Sequence, residues 1–466
     1  MNTETTDISG KLEQHGTVFL LFTVLVLFSF TGSGIPCIVS AAGLLLCAAG
    51  FIYGKLETDF KTLLLLMAGL GLCLLSSLRI YGNIKEGYTE LFAIYPVMYV
   101  LFTGLNGEEG RLLRKLCILW AQIIGACAVL VYIYQCFHGT ALRAEIIIGN
   151  ANELGIFFVT GWFAVLCRRK EEDDHSFTGR LCSSLEPLIP AGLALTLSMG
   201  SFLSLCTGLL VYGIQEGKAD GHGNRISATV KELLPLAAEM SIYIGTGMVM
   251  NLGEREMDIP QAVFFPAVYL LALCIYGRAL APFFRSHRGA SLLFTGAGAL
   301  GGLAAVMLRP GASYNFMVRL EMMKNGLTYL RQHPFTGVGA NQWRLLNLED
   351  SRYFSTWHIH NSFLHLSVEL GIFAGILLLA ILIREMMKKE NRRTRPAVTA
   401  FILHNFIDTS FFYLADTSLL LLSNRYEGTG EKKASAVQGR IFFSCFSLYF
   451  IYCLVMDMVP FLQGGA

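Results

Sequence analysis

Apolar runs long enough to cross a lipid bilayer recur along almost the whole chain. A spanning helix needs about 20 consecutive apolar residues. Runs of about that length occupy residues 17–36, 37–53, 62–79, 91–105, 116–136, 154–168, 187–214, 232–252, 261–277, 290–308, 363–383, 397–423 and 441–459. Because backbone amides find no water in hydrocarbon, and because the alternation of barrel strands is missing, these runs are helices. The sequence predicts an all-α, polytopic bundle of about 12 to 14 transmembrane helices.

The composition agrees with this class. Of the 466 residues, 54% are hydrophobic and 15% are charged, which is far more apolar than a soluble protein of this size. A formal net charge of +2 gives no reason to expect nucleic-acid binding. The 12 cysteines fall mostly inside apolar runs and lack CxxC spacing, so we expect neither a disulfide framework nor a metal site.

Basic loops orient the predicted bundle. Residues 384–395 carry six basic residues against two acidic ones, and the positive-inside rule makes that loop cytoplasmic. Alternation along the chain then places residues 309–362 and the shorter loop 138–153 outside. The run Ala397–Ser423 is too long for one comfortable span and is interrupted by polar residues, which predicts two short helices.

The large extracytoplasmic loop, residues 309–362, is predicted to carry structure of its own. Its apolar residues recur at helical spacing, at Phe316, Leu320, Met323, Leu327 and Leu330. This spacing predicts an amphipathic helix that lies on the outer leaflet or on the bundle. Pro334 stops the helix, and the two glycines after it permit a tight turn. Trp343 and Trp357 each suit an interfacial position or a sugar-stacking surface.

Three histidines and an asparagine, at His358, His360, His365 and Asn361, stand where the apolar run 363–383 begins. His360 and Asn361 are therefore expected at a helix N-terminus, where the helix dipole helps to keep an imidazole neutral, as a general base must be. A capping or interfacial polar cluster is the alternative. A metal-binding sensor is a further alternative, although only His358 and His360 can easily share a site.

The other outer loop offers an arginine, Arg143, followed by the paired asparagines Asn150 and Asn152 ahead of a helix. A guanidinium group presents a planar fork of donors that matches phosphate oxygens. Arg143 and Arg319 are therefore candidates for binding a diphosphate at the outer membrane surface. Contact of each arginine with lipid headgroups is the alternative.

Polar residues inside apolar runs also need an explanation, since charges within spans are costly. Glu369 lies on roughly the opposite helix face from His360, which favours a structural hydrogen bond to a neighbouring helix. His404 and Asp408 are four residues apart, and we expect them to pair directly on one short helix. Orientation of the active site by that pair is the alternative.

Taken in order, these motifs resemble one family. GNANELG stands at residues 149–155, HPFTGVGANQW at 333–343, HIHNSFLHLSVELG at 358–371 and LHNFIDTSFF at 403–412. The set is similar to the O-antigen ligase and O-antigen polymerase family of bacterial multi-pass membrane proteins. One element departs from the family pattern, because Met199 stands where many members carry an arginine.

The resemblance implies an activity and a location. A glycan would pass from an undecaprenyl-diphosphate-linked oligosaccharide donor to a hydroxyl of a glycan or lipid-glycan acceptor, without a metal or other cofactor. The reaction would occur at the extracytoplasmic face of the bacterial plasma membrane. By motif, His360 and Arg319 are the predicted catalytic residues. The predicted substrate-binding residues are Arg143, Asn361, His358, Asn150, Asn152 and Trp343.

We divide the chain into N-terminal transmembrane helices at residues 1–140, a ligase-like core at 141–423 and a C-terminal segment at 424–466. Whether the enzyme is a ligase or a polymerase stays open. A transporter or flippase of lipid-linked glycans is the first alternative, although we find none of the internal repeats typical of that class. A peptidoglycan-type glycosyltransferase is the second, and it would use an outer-loop carboxylate such as Glu349 or Asp350.

Overall fold

A computed structural model describes most of the chain. The described residues are 3–30, 35–53, 57–137, 143–170, 177–217, 233–242, 282–308, 312–349, 356–389, 391–423, 432–433 and 436–462, with a few isolated positions between 230 and 280. The predicted apolar run 261–277, and part of the run 232–252, lie outside the described residues.

Helices form nearly all of the described structure. They run Thr3–Ser29, Pro36–Tyr53, Phe60–Tyr81, Thr89–Thr103, Gly107–Phe137, Ala151–Arg168, Phe177–Leu185, Leu188–Thr196, Met199–Gly217, Arg288–Leu308, Ala312–Gln332, Gln342–Glu349, Ser362–Leu370, Ile372–Met387, Arg395–Ile407, Leu414–Ser423 and Ala436–Leu462. Two-residue strands, Glu57–Thr58 and Lys432–Lys433, pair antiparallel. The predicted all-α class is confirmed.

The helices have the composition of a membrane protein. Among the described residues, three helices are long and apolar enough to cross a bilayer, at Phe60–Tyr81, Gly107–Tyr132 and Val437–Val459. Shorter apolar helices include Pro36–Ile52 and Thr89–Thr103. The predicted helical membrane fold is confirmed, whereas the total of 12 to 14 spans stays a prediction.

Local sequence signals set several helix ends. The side chain of Asp59 accepts a hydrogen bond from the Lys61 amide at 3.0 Å and caps the helix Phe60–Tyr81, which Gly82 ends in the left-handed conformation. The long run Ala397–Ser423 is indeed two short helices, Arg395–Ile407 and Leu414–Ser423, because Asp408 takes an extended backbone conformation.

The described chain divides into two compact units. The first unit comprises Met1–Arg114, Leu320–Glu390 and Phe411–Ala466, and the second comprises Lys115–Arg319 and Asn391–Ser410. Each unit is therefore built from segments that are far apart in sequence. The predicted division at residues 140 and 423 follows family motifs instead, and it stays a prediction.

The helix Ala312–Gln332, here called the loop helix, forms as predicted and ends just before Pro334. Its buried face differs from the predicted one. Met322, Asn325 and Tyr329 are buried. Asn325 donates a hydrogen bond to Asn347 at 2.9 Å, and the ring of Tyr329 packs edge-on against Trp343. The predicted apolar stripe is largely at the surface, with Phe316, Leu320 and Leu327 exposed. The prediction allowed the stripe to lie on the outer leaflet or on the bundle, and its exposure matches the outer leaflet.

Candidate functional site

The predicted site residues fall into both compact units, and each set is described by itself. His358, His360, Asn361 and Trp343 belong to the first unit. Arg143, Asn150, Asn152 and Arg319 belong to the second unit.

In the first unit, His360 lies two residues before the helix Ser362–Leu370, here called the motif helix. Asn361 is its N-cap, and its side chain accepts a hydrogen bond from the Leu364 amide at 2.9 Å. The Asn361 amide also donates to the Ile359 carbonyl at 2.6 Å, which closes a three-residue turn centred on His360. His360 is half-buried. The predicted helix N-terminus behind His360 is therefore present.

A directed chain of hydrogen bonds lies beneath this turn. The Ile359 amide points at His365 Nδ1 (3.3 Å), and His365 Nε2 lies 2.8 Å from the Tyr88 hydroxyl. Tyr88 donates in turn to Glu369 Oε2 at 2.5 Å. An amide can only donate, so Nδ1 accepts and the imidazole proton sits on Nε2. His365 and Glu369 are almost fully buried.

The carboxylate of Glu369 also holds the loop between the loop helix and the helix Gln342–Glu349. It accepts hydrogen bonds from the amides of Asn341 (2.8 Å) and Trp343 (2.9 Å), at the start of that helix. A buried carboxylate is stable only with such partners, and the positive end of a helix dipole favours its charge. The predicted structural hydrogen bond of Glu369 is confirmed.

Burial and the neighbouring Glu369 carboxylate together raise the pKa of the Tyr88 phenol well above its ordinary value. The phenol therefore keeps its proton at neutral pH and stays available as a donor to Glu369. This agrees with the direction of the hydrogen-bond chain.

The residues 333–341, here called the glycine loop, meet the end of the motif helix through main-chain atoms. Val338 and Gly339 donate to the carbonyls of Val368 and Glu369, both at 2.9 Å. Gly337 has a φ of 61°, and a Cβ there would overlap the Glu369 carbonyl. Gly371 has a φ of 95°, and its Cβ would overlap the Phe335 carbonyl. Both positions therefore require glycine.

Aromatic rings surround the histidines. His358 stacks on Phe412 with ring centroids 4.6 Å apart, and its ring meets His365 edge-on at 4.9 Å. Trp357 is 66% exposed, and the guanidinium carbon of Arg344 lies 3.5 Å from its ring centre. Trp343 is fully buried, so it has no surface on which a sugar can stack. Its predicted interfacial or sugar-stacking position is therefore wrong.

In the second unit, Arg143 is held by two hydrogen bonds. Its Nε donates to the Thr196 carbonyl at 2.8 Å, and its Nη2 donates to Asn152 Oδ1 at 2.6 Å. Asn150 is the N-cap of the helix Ala151–Arg168 and accepts from the Asn152 amide at 2.8 Å. Asn152 thus holds the Arg143 side chain, and Asn150 caps the start of the helix.

Arg319 is anchored at the end of the helix Arg395–Ile407. Its Nη1 donates to the Ile407 carbonyl at 2.7 Å, and its Nη2 contacts Asp408 Oδ2 at 3.1 Å. The Arg319 side chain is 27% exposed, whereas the Asp408 side chain is 1% exposed. The Ile407 carbonyl and Asp408 therefore orient the Arg319 guanidinium group, and part of that group remains exposed.

The predicted direct pairing of His404 with Asp408 is wrong. His404 instead contacts Ser201 through Nε2 (3.1 Å) and Ser410 through Nδ1 (2.5 Å). Asp408 has φ −153° and ψ −164°, which takes its side chain out of the helical register that an i,i+4 pair needs. Asp408 pairs with Arg319 instead.

A polar network connects the surroundings of the two arginines within the second unit. Asn152, the partner of Arg143, precedes Glu153, which accepts a hydrogen bond from Thr409 at 3.3 Å. Thr409 follows Asp408, the partner of Arg319. Ser201 adds a hydrogen bond to the Asn152 carbonyl at 3.1 Å. The network therefore fixes the groups that hold the two guanidinium side chains.

Tyr88 and the pairing of Asp408 with Arg319 were not predicted. Tyr88 lies 277 residues before His365, and Arg319 lies 89 residues before Asp408, so no local spacing links them. Only the cost of burying Asp408 and Glu369 signalled that each needs a partner. Within the described residues, no group of three or more histidine, cysteine, aspartate or glutamate side chains can hold a metal ion.

Comparison with known proteins shows a similarity to one family. Residues 188–379 match the family model described as O-antigen ligase, which confirms the resemblance predicted from the motifs. The matched segment contains Arg319, His360 and Asn361, whereas Arg143 lies before it. No curated protein and no solved structure matches the chain.

Proposed function

We propose, from the O-antigen ligase domain that this chain carries at residues 188–379, that the protein transfers a glycan from an undecaprenyl-diphosphate carrier to an acceptor hydroxyl. The family supports ligation or polymerisation of surface glycans in general. The observation that carries the specific proposal is His360, half-buried before a capped helix N-terminus inside the matched segment.

In the proposed reaction His360 is the general base. The neutral imidazole takes the proton of the acceptor hydroxyl as the hydroxyl oxygen attacks the anomeric carbon of the donor sugar. The bond between that carbon and the diphosphate oxygen breaks, and the carrier diphosphate leaves with the electron pair. A single displacement inverts the anomeric configuration. Such base catalysis contributes about 10²-fold to 10⁴-fold to the rate.

Arg143 and Arg319 are the proposed diphosphate-binding residues. Negative charge grows on the diphosphate as the glycosidic bond breaks, and fixed cationic donors stabilise that charge without reorganising. Asp408 and the Ile407 carbonyl engage two N–H donors of Arg319, and a guanidinium group has five. Asn152 and the Thr196 carbonyl fix Arg143 in the same way.

The other predicted residues have supporting roles in this proposal. Asn361 caps the helix behind the base, and Asn150 caps the helix that carries Asn152. His358 orients the acceptor. Trp343 is left out of the proposed contacts because it is buried. We place the reaction at the outer face of the bacterial plasma membrane, in a multi-pass protein, because the positive-inside rule makes the basic loop at residues 384–395 cytoplasmic and alternation then puts residues 309–362 outside.

Transfer by the purified protein tests the proposal. The native chain and His360→Ala are incubated in detergent with an undecaprenyl-diphosphate-linked oligosaccharide from the host and with EDTA. The matched control is His333→Ala, which removes an exposed histidine of the same unit. We expect longer or transferred glycan with the native chain and the control, and a loss of at least about 10²-fold with His360→Ala.

Other outcomes contradict the proposal. If His360→Ala keeps full activity, His360 is not the general base. If EDTA abolishes the activity of the native protein, the reaction needs a metal. If the native protein produces no transfer in detergent but moves the lipid-linked oligosaccharide across vesicles, it is a transporter. Product length separates a polymerase from a ligase.

A further inference from the structure

The hydrogen bonds of His365 reach both the turn at His360 and Tyr88, at the start of another helix of the first unit. Its Nδ1 faces the Ile359 amide (3.3 Å), and its Nε2 faces the Tyr88 hydroxyl (2.8 Å). The side chain is fully buried, so no water competes for either nitrogen. Both ring nitrogens thus have defined partners.

The turn that His365 contacts is the one that presents His360. The Ile359 amide is tied to His365, while the Ile359 carbonyl accepts from the Asn361 amide at 2.6 Å. The Ile359 side chain is itself buried. His365 therefore holds the peptide group between His358 and Ile359, while the hydrogen bond from Asn361 to Ile359 ties together the two peptide groups on either side of His360.

We propose that His365 is a positioning residue for the transfer reaction, because its Nδ1 lone pair holds the Ile359 amide and thereby sets the place of the His360 imidazole. This inference rests on the proposed function of His360 as the base. The restraint requires a neutral His365 with its proton on Nε2, the form that the chain from Ile359 to Tyr88 and Glu369 selects. Glu369 and the glycine loop hold the far end of that chain.

Two amide substitutions separate the nitrogens of His365. In His365→Asn the side-chain oxygen replaces Nδ1 as an acceptor for the Ile359 amide. In His365→Gln the side-chain nitrogen replaces Nε2 as a donor to Tyr88, and the acceptor for Ile359 is lost. Both variants are neutral and of similar polarity, so each is the matched control of the other.

Three measurements are made on these variants in detergent: the thermal midpoint, hydrogen exchange of the peptide spanning residues 356–361, and transfer kinetics with the undecaprenyl-diphosphate-linked oligosaccharide. We expect His365→Asn to retain native exchange and native kcat. We expect His365→Gln to exchange faster and to lose about 10-fold to 100-fold in kcat, with unchanged donor KM, because a base displaced by about 1 Å costs that much.

The outcomes distinguish this inference from the proposed function. If the native chain is active and His365→Gln keeps its kcat, or if the two variants lose activity equally, His365 does not position the base and the inference fails alone. If the native chain transfers nothing, the proposed function fails and takes the inference with it.

A measurement on the native protein covers the case in which a variant does not fold. Histidines are labelled with nitrogen-15, and the chemical shifts of the two ring nitrogens of His365 report which one carries the proton. We expect the proton on Nε2 at neutral pH. A proton on Nδ1 leaves no acceptor for the Ile359 amide and overturns the inference.

Discussion

Tyr88 donates a 2.5 Å hydrogen bond to the carboxylate of Glu369, from a helix start that lies 281 residues earlier in the chain. Both side chains are buried, so neither finds a substitute partner in water. The bond joins the start of the helix Thr89–Thr103 to the motif helix within the first unit. Its removal is the simplest test of how much this polar core contributes.

We expect Tyr88→Phe to lower the free energy of unfolding by about 1 to 3 kcal/mol, because it leaves buried groups on His365 and Glu369 without their partner. The measurement is the thermal midpoint in detergent. Tyr134→Phe is the matched control, since Tyr134 is 64% exposed and water can replace any hydrogen bond that its hydroxyl loses. Equal midpoints for the two variants would contradict the prediction.

Gly337→Ala should destabilise the protein by about 1 to 3 kcal/mol, because the position has a positive φ and the added Cβ overlaps the Glu369 carbonyl. Gly296→Ala is the matched control, since no atom lies within 4 Å of a Cβ built there, in the helix Arg288–Leu308. That control should be neutral or stabilising by up to about 1 kcal/mol. A stable Gly337→Ala protein would refute the close contact of the glycine loop.

Arg319→Ala should destabilise the protein by about 3 to 5 kcal/mol, because it leaves the buried Asp408 carboxylate without its cation. The double variant Arg319→Ala, Asp408→Asn removes the unpaired charge and should recover part of that loss. Under the proposed function, neither protein transfers glycan. Thermal midpoints and transfer assays on both variants separate the structural role of Arg319 from its catalytic one. Activity in the double variant would exclude a catalytic role.

Acid should weaken the first unit at Asp59. Burial alone would raise the pKa of this carboxyl, but hydrogen bonds from Arg384 and Lys388 outweigh it and hold the pKa well below its ordinary value of 3.8. A carboxyl with a depressed folded-state pKa stabilises the fold above its unfolded-state pKa, and the contribution is lost as the pH falls towards the folded-state pKa.

The thermal midpoint measured from about pH 6 to about pH 3 tests this linkage. Native protein should lose more stability over that interval than Asp59→Asn, which lacks the titrating group. Asp59→Asn should also start from a lower midpoint at neutral pH, because Arg384 and Lys388 each lose their ion pair with Asp59, while Lys388 keeps its ion pair with Glu385. Parallel pH profiles for the two proteins would contradict the assignment.

Local signals in the sequence located several features of the fold correctly. Asn361 marked the start of the motif helix, and Pro334 marked the end of the loop helix, because caps and prolines act within a few residues. The interruption near Asp408 correctly divided one long apolar run into two helices. These local signals, together with the apolar runs, predict an all-helical membrane fold without any knowledge of tertiary contacts.

The errors arose where tertiary packing decides. Spacing alone paired His404 with Asp408, but the helix ends at Ile407 and each side chain finds a partner from another segment. Trp343 resembled an interfacial residue, yet its ring is enclosed beside Tyr329. Spacing alone also left open whether the apolar stripe of the loop helix faces lipid or the bundle, and in the structure a different face of that helix packs inside the first unit. In a membrane protein an apolar stripe does not show which face of a helix packs inside, since lipid accepts apolar faces as readily as the protein core does.

The contact between the glycine loop and the end of the motif helix has a consequence for how this region can diverge. The main-chain atoms of Val338, Gly339, Val368 and Glu369 make the contact, and it requires glycine at residues 337 and 371. The Glu369 carboxylate adds side-chain hydrogen bonds to the end of the glycine loop. Phe335 is 68% exposed, and its ring stacks on that of Phe373 with centroids 6.0 Å apart. Exposed side chains beside this contact can therefore be replaced without breaking its main-chain hydrogen bonds.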